Sequence, residues 1–232
     1  SISAVLLPVF SGMDKGNGMS NETLVVWNSA LLKSAKLIFP MLIFSVFFAE
    51  PIMTCMYGDI YAQSSIYFVI KNLSGLFYII PFYPIILAIG KTNSYANAHM
   101  IAAFMIVIAE YVVCKTFDSA VYVAITSELC NLFKIWLLLR VIANYAHMKI
   151  TELLPPKPMT ILIMISALAS LPPFLLLDFL NMNKFIVLFV CLRFFLVDYY
   201  VLCWICKVTY RDIAGGFLKN KSRLNAVVKI LP

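Results

Sequence analysis

Charge is what this chain has least of. Only 12% of its 232 residues are Asp, Glu, Lys or Arg, where a soluble domain carries about a quarter. Apolar residues make up 62%, and the mean hydropathy is +0.92. Such a chain cannot present a solvated surface on all sides, which excludes the soluble globular class. Period-two alternation is missing as well. The apolar runs continue for about 20 residues, the length of a membrane-crossing helix, which excludes an outer-membrane barrel. Histidine is scarce: His99 and His147 fall in different segments, so no metal site and no cofactor is expected. Nothing resembles a Walker A phosphate loop, so ATP hydrolysis within the chain is not expected. The first residues lack the basic start and small-residue cleavage site of a signal peptide.

What is present reads as a series of spans. The predicted fold is all-α, a polytopic helical membrane protein with six full transmembrane helices and the end of another. The spans are expected at about 37–56, 62–90, 95–114, 119–140, 159–177 and 185–206. Residues 1–206 form one transmembrane bundle on this reading, and 207–232 a basic tail. Ser1–Phe10 is too short to span and reads as the tail of an earlier helix, so the chain is expected to be the C-terminal part of a longer protein. Glu22–Lys36 is expected to lie at the membrane surface or to lead into the first full span. The second span holds Lys71, and its Pro81 and Pro84 predict a kink in its second half. The six cysteines fall in or beside apolar helices, and Cys203-Trp204-Ile205-Cys206 has redox-motif spacing without a βαβ setting.

Cations set the expected orientation. If the connections alternate between two sides, one side takes Lys15, Lys33, Lys36, Lys91, Arg140, Lys149, Lys157, Lys207, Arg211, Lys219, Lys221, Arg223 and Lys229. The other takes only Lys115 and Lys184. The positive side is cytoplasmic by the usual bias, which puts the C-terminus there. The net charge of +7 is then a topology signal with some attraction to anionic lipid, not a sign of nucleic acid. The opposite connections, near Gly58–Tyr61, Lys115–Asp118 and Asp178–Lys184, are short, which leaves no room for an extracellular catalytic domain.

Lys71, Glu110, Glu128, Lys134, Arg193 and Asp198 fall inside predicted spans. At mid-membrane each costs about 2–3 kcal/mol even on a lenient insertion scale, so each is expected to face a cavity or a partner. Lys71, Glu128 and Arg193 sit about 13 Å from one end of their spans, near the depth where transporter sites lie. A purely structural pair is the competing account: Lys71 or Arg193 with Glu128 or Asp198, holding helices together. Lys134 and Glu110 lie nearer helix ends, where side chains snorkel. Most tyrosines read as interface anchors, with Tyr78 and Tyr83 as candidates for stacking on a sugar.

Four stretches, in order over residues 1–91, resemble a known family. Ser3-Ala4-Val5-Leu6-Leu7-Pro8-Val9-Phe10-Ser11 is similar to its S-x-x-x-x-P-x-F-S helix end, and Lys36–Pro40 to its proline near the next helix start. Met56-Tyr57-Gly58-Asp59-Ile60-Tyr61-Ala62-Gln63-Ser64 resembles its hydrophobic-G-x-x-Y-x-x-S outer turn, and Ala88-Ile89-Gly90-Lys91 its A-x-G-K inner turn. The family is that of the Wzx-type oligosaccharide flippases, in the multidrug/oligosaccharidyl-lipid/polysaccharide superfamily. Residues 92–232 match it in span count, orientation and basic tail; Lys115–Ala120 departs from its G-x-x-G-A packing segment.

The resemblance implies the C-terminal lobe of a two-lobed alternating-access transporter of the bacterial inner membrane. The implied cargo is an undecaprenyl-diphosphate-linked oligosaccharide for surface polysaccharide, handled alongside polymerase and ligase machinery, with no covalent chemistry. On that view Lys71 and Arg193 hold the pyrophosphate, while Glu128 and Asp198 serve as counter-ions or ion-coupling groups. A cation-coupled drug or metabolite antiporter of the same superfamily is the alternative reading. An integral-membrane lipid-modifying enzyme is a further one, for which His147–Glu152 is the nearest candidate.

Overall fold

Trp27, Leu31, Ala35 and Phe39 recur every fourth residue, and that period builds the first helix. In the structure, a computed structural model that describes residues 21–177, 184–206 and 208, all four are buried. Helix α1 (Asn21–Phe47) runs through them, and α2 (Ala49–Tyr57) continues its line. Phe48 joins the two with φ −104 and ψ 26, and the ladder persists through Phe48 N–H to Phe44 O and Ile52 N–H to Phe48 O, both 2.9 Å. Together they extend about 55 Å at 1.5 Å per residue, well beyond a hydrocarbon core of about 30 Å.

The first span therefore differs from the one expected at 37–56. The apolar stretch is Leu24–Phe47, and Lys33 and Lys36 lie within the helix instead of ahead of it. The helix passes these lysines because its buried stripe continues on the other side: Lys33 is exposed between Leu31 and Ala35, which are both covered. The expected helix end at Ser3–Ser11, the polar turn before Asn21, most of the Asp178–Lys184 connection and all of the basic tail except Val208 lie outside the described residues.

The second span is broken, not simply kinked. Gly58 turns the chain with φ 94, a value that favours glycine, into a 3-10 segment, Asp59–Ser64. Helix α3 (Ser65–Leu73) follows, then a second 3-10 turn, Ser74–Phe77, an irregular stretch and α4 (Phe82–Ala88). The prolines explain the irregular stretch. Pro81 has no N–H for the Phe77 carbonyl, which accepts from Ile80 at 3.1 Å instead; Pro84 has none for Ile80 O, which accepts from Phe82 at 2.9 Å. Ser74, Gly75, Ile79 and Ile80 are buried, so the non-helical backbone is shielded by protein. Gly75 permits this by close approach: a Cβ there would stand 2.8 Å from Leu42 Cδ2 of α1. At the far end Gly90, with φ 71, closes α4 as Lys91 N–H reaches back to Ile86 O at 3.0 Å.

Helices α5 (Thr92–Thr116) and α6 (Ala120–Ala146) form an antiparallel hairpin, with only Ala98 and Ala102 of α5 buried. The polar connection expected at 141–158 is shorter than that, because α6 runs on to Ala146 and ends on His147 at φ 54. A single turn, α7 (Ile150–Leu153), then leads to α8 (Pro156–Leu175), and α9 (Lys184–Ile205) completes the set. Leu153 O accepts a hydrogen bond from Trp27 Nε1 at 2.8 Å, which ties the start of α1 to this connection.

Helix α8 packs along α1 on one side and α9 on the other. Its contact face is small, with Ser166, Ala169 and Ser170 fully buried, so the backbones approach closely. Phe44 and Phe48 fill the space above it against Phe174 and Phe195. A second cluster joins α1, α4 and α6 around Phe39, Ile85, Ile86, Leu139 and Ile142. Among the described residues, six segments are long and apolar enough to cross a membrane: Leu24–Phe47, Asp59–Ala88, Thr92–Thr116, Ala120–Ala146, Pro156–Leu175 and Lys184–Ile205. The protein is all-α and multi-pass.

Candidate functional site

The break in the second span and the polar groups of α6 meet at one place. Helix α3 lies against α6, and Lys71 in its last turn reaches Glu128. Lys71 Nζ stands 2.6 Å from Glu128 Oε1, a short charge-assisted hydrogen bond. Glu128 Oε2 is also 3.5 Å from Asn131 Nδ2, one turn along α6. The two partners sit in unequal surroundings. The Glu128 side chain is 6% exposed, whereas that of Lys71 is 65% exposed.

Depth sets the electrostatics of the pair. Glu128 lies about 12 Å into α6 from Ala120, deep within a hydrocarbon layer of about 30 Å. There is no water at that level to solvate a lone carboxylate, so the lysine supplies the compensation. Tyr67 precedes Lys71 by one turn of α3, and the phenol of Tyr78 lies within electrostatic reach of the Lys71 ammonium. Both tyrosines are exposed, with Tyr78 at 63%. Ser74 Oγ donates to Lys71 O at 3.2 Å, capping α3 where the helix breaks. An exposed lysine is poorly suited to bare hydrocarbon, so this face suits a polar surrounding better than lipid tails.

The other charged residues lie elsewhere. Arg193 is on α9, which packs on α8 and α2, and its guanidinium lies 5.4 Å from the Phe189 ring centroid one turn earlier. Asp198 is half-buried on the same helix. Among the described residues, Arg193 and Asp198 form no salt bridge with Lys71, Glu128 or each other. Of the four candidates, then, the structure brings together Lys71 and Glu128 and sets Arg193 and Asp198 apart. Glu110 and Lys134 are half-buried on the α5–α6 hairpin, and the His99 ring lies tilted against Tyr95 with ring centroids 4.5 Å apart. A second ion pair, Lys184 with Asp59, joins the start of α9 to the Gly58 turn and is exposed on both sides.

No family model, curated protein or solved structure matches this chain. The site therefore has to be read from its own geometry.

Sequence reasoning missed three parts of it. Asn131 carries no signal by itself, but at i+3 from Glu128 it shares that residue's helix face. Tyr67 was available in the same way, four residues before Lys71. Ser74-Gly75 is the other sign. A small pair between a lysine and two prolines allows the close approach and the 3-10 turn that the prolines alone do not specify. Among the described residues, no group of three His, Cys, Asp or Glu is placed to hold a metal ion. Chemically, the arrangement offers an ammonium with two N–H donors beyond the one taken by Glu128, and the Tyr78 phenol within electrostatic reach of it. It can bind an anionic group of an amphiphile without covalent chemistry.

Proposed function

We propose that this chain is part of a transporter that moves a lipid-linked oligosaccharide across the bacterial inner membrane, a flippase of the Wzx type. One observation carries the reading: an ion-paired lysine beside a break in a membrane-spanning helix. Transporters place substrate groups at such discontinuous helices near mid-membrane. The Lys71 ammonium takes a phosphate oxygen of the diphosphate while the isoprenoid stays in the bilayer, and Tyr67 and Tyr78 line the path of the head. Polymerase and ligase machinery consume the product on the far side, with the C-terminus on the cytoplasmic side. Arg193, set apart on α9, acts outside this contact.

The test is complementation by the intact protein in a cell that lacks its own flippase, with surface polysaccharide and lipid-linked intermediates followed together. Lys71→Gln is expected to reduce surface polysaccharide by tenfold or more, the loss of one charged contact to phosphate, and to leave intermediates behind. Lys71→Arg retains a large part of it. Wild-type export from Lys71→Gln sinks the assignment. A cation-coupled antiporter is the second reading, favoured by the buried carboxylate of Glu128. It predicts substrate-driven ion movement in proteoliposomes that Glu128→Gln abolishes.

A further inference from the structure

Helix α9 carries two cations, and only one has a carboxylate beside it. Lys184 pairs with Asp59, whereas Arg193 forms no salt bridge among the described residues. Arg193 stands near the middle of the span, about 13 Å from the Lys184 end and about 18 Å from the Ile205 end. Cys191, two residues before it, and Phe195, two residues after it, are both buried in the bundle. A step of two residues turns a side chain about 200° around a helix. Arg193 therefore faces away from α8 and α2, on which α9 packs, and it is exposed. Phe185, Phe189, Arg193 and Val197 recur at every fourth position and form one exposed ridge. The guanidinium lies over the Phe189 ring, which leaves its N–H fork without an acceptor.

Hydrocarbon is a costly neighbour for a cation at this depth, and a charged group inside a membrane takes a partner of opposite sign. Lipid phosphates lie outside a hydrocarbon layer of about 30 Å. A carboxylate on a neighbouring helix can stand at the level of Arg193 and match its fork with two oxygens. A second copy of this chain fits the face poorly. A twofold contact through α9 sets Arg193 against Arg193 at one depth. Within the other spans Glu128 is buried on Lys71, and Glu110 is half-buried, as is Asp198 on α9 itself. Glu50 is exposed on α2, but its contact with Arg193 of another copy runs head-to-tail. We propose that the outward face of α9 docks a membrane helix of a separate protein, one with an Asp or Glu near its midpoint that takes the Arg193 guanidinium. The ridge supplies apolar contact and Arg193 selects the partner. The inference stands apart from the transport reading and is measurable without transport.

The experiment places the intact protein in phosphatidylcholine liposomes with a designed single-span helix of Leu and Ala that carries Glu at its midpoint. Association is read by energy transfer between labels on the two. The Glu helix is expected to associate about tenfold or more tightly than the same helix with Gln, the effect of one polar bond between membrane helices. Arg193→Leu changes an exposed side chain outside the buried clusters and is expected to bring the two helices level. Arg193→Glu is expected to move the preference to a helix with Lys at its midpoint. Equal association of the Glu and Gln helices with wild type overturns the proposal, as does a Glu preference that survives in Arg193→Leu. Association of neither helix shows the face to be covered within the intact protein and overturns it too. Energy transfer between two labelled copies of the protein that Arg193→Leu removes assigns the face to a second copy instead. A Glu preference that vanishes when phosphatidylglycerol replaces part of the phosphatidylcholine assigns Arg193 to a lipid phosphate instead.

Discussion

Removing the lysine of the Lys71–Glu128 pair should cost far more stability than removing the charge of the glutamate. Lys71→Met leaves a carboxylate that is 6% exposed with no cation beside it. Breaking a buried pair from one side costs about 3–5 kcal/mol. The loss in Lys71→Met should fall in that range. Glu128→Gln is milder. It leaves an ammonium on a side chain that is 65% exposed, still within reach of an amide oxygen, and about 1 kcal/mol or less is expected. Lys71→Met with Glu128→Leu removes both charges and should recover most of the Lys71→Met loss. Unfolding by SDS titration in mixed micelles, read by far-UV circular dichroism, gives all three values. If Glu128→Gln costs as much as Lys71→Met, or the double variant recovers nothing, the carboxylate is not the buried partner and the account of the site is wrong.

Two further outcomes follow from the packing. Trp27→Phe replaces the buried indole with a smaller phenyl and loses the Nε1–H bond to Leu153 O; the unpaired carbonyl alone should cost about 1–3 kcal/mol in the same titration, and the space left by the indole adds to it. Gly75→Ala should be nearly neutral, because the obstacle 2.8 Å away is the flexible end of Leu42, whereas Gly75→Val should cost about 1–3 kcal/mol and be partly rescued by Leu42→Ala.

The sequence makes the architecture readable because hydropathy is a bulk signal. Runs of about 20 apolar residues fix four of the six spans to within three residues and the start of a fifth, Ala120–Ala146, and Gly58 and Gly90 mark the ends of the second span by their positive φ. The start of the first helix was hidden for a definite reason. Lys33 and Lys36 look like a membrane boundary, and only the Trp27-Leu31-Ala35-Phe39 stripe reveals that the helix passes them. The break after Leu73 was half visible. Pro81 and Pro84 announce lost hydrogen bonds, but the 3-10 turn at Ser74–Phe77 lies ahead of both and holds no proline of its own. Lys71 and Glu128 stood out as charges that hydrocarbon does not tolerate alone. That Lys71, and not Arg193, is the partner depends on which face α9 turns toward α8. A helix apolar all round does not disclose that face.

The buried serines of α8 have a mechanical consequence. Ser166 and Ser170 donate to Leu162 O at 2.7 Å and to Ser166 O at 2.9 Å, both in their own helix. Neither hydroxyl needs α1 or α9, so these two serines add no polar bond to either seam of α8. The bond that crosses to α9 is a weak one, the Cys191 thiol donating to Pro173 O at 3.6 Å. Such a seam behaves much like a plain bearing: slipping α8 along its neighbours costs little in polar bonds, and the resistance it meets is the repacking of Phe44, Phe48 and Phe174 over small side chains.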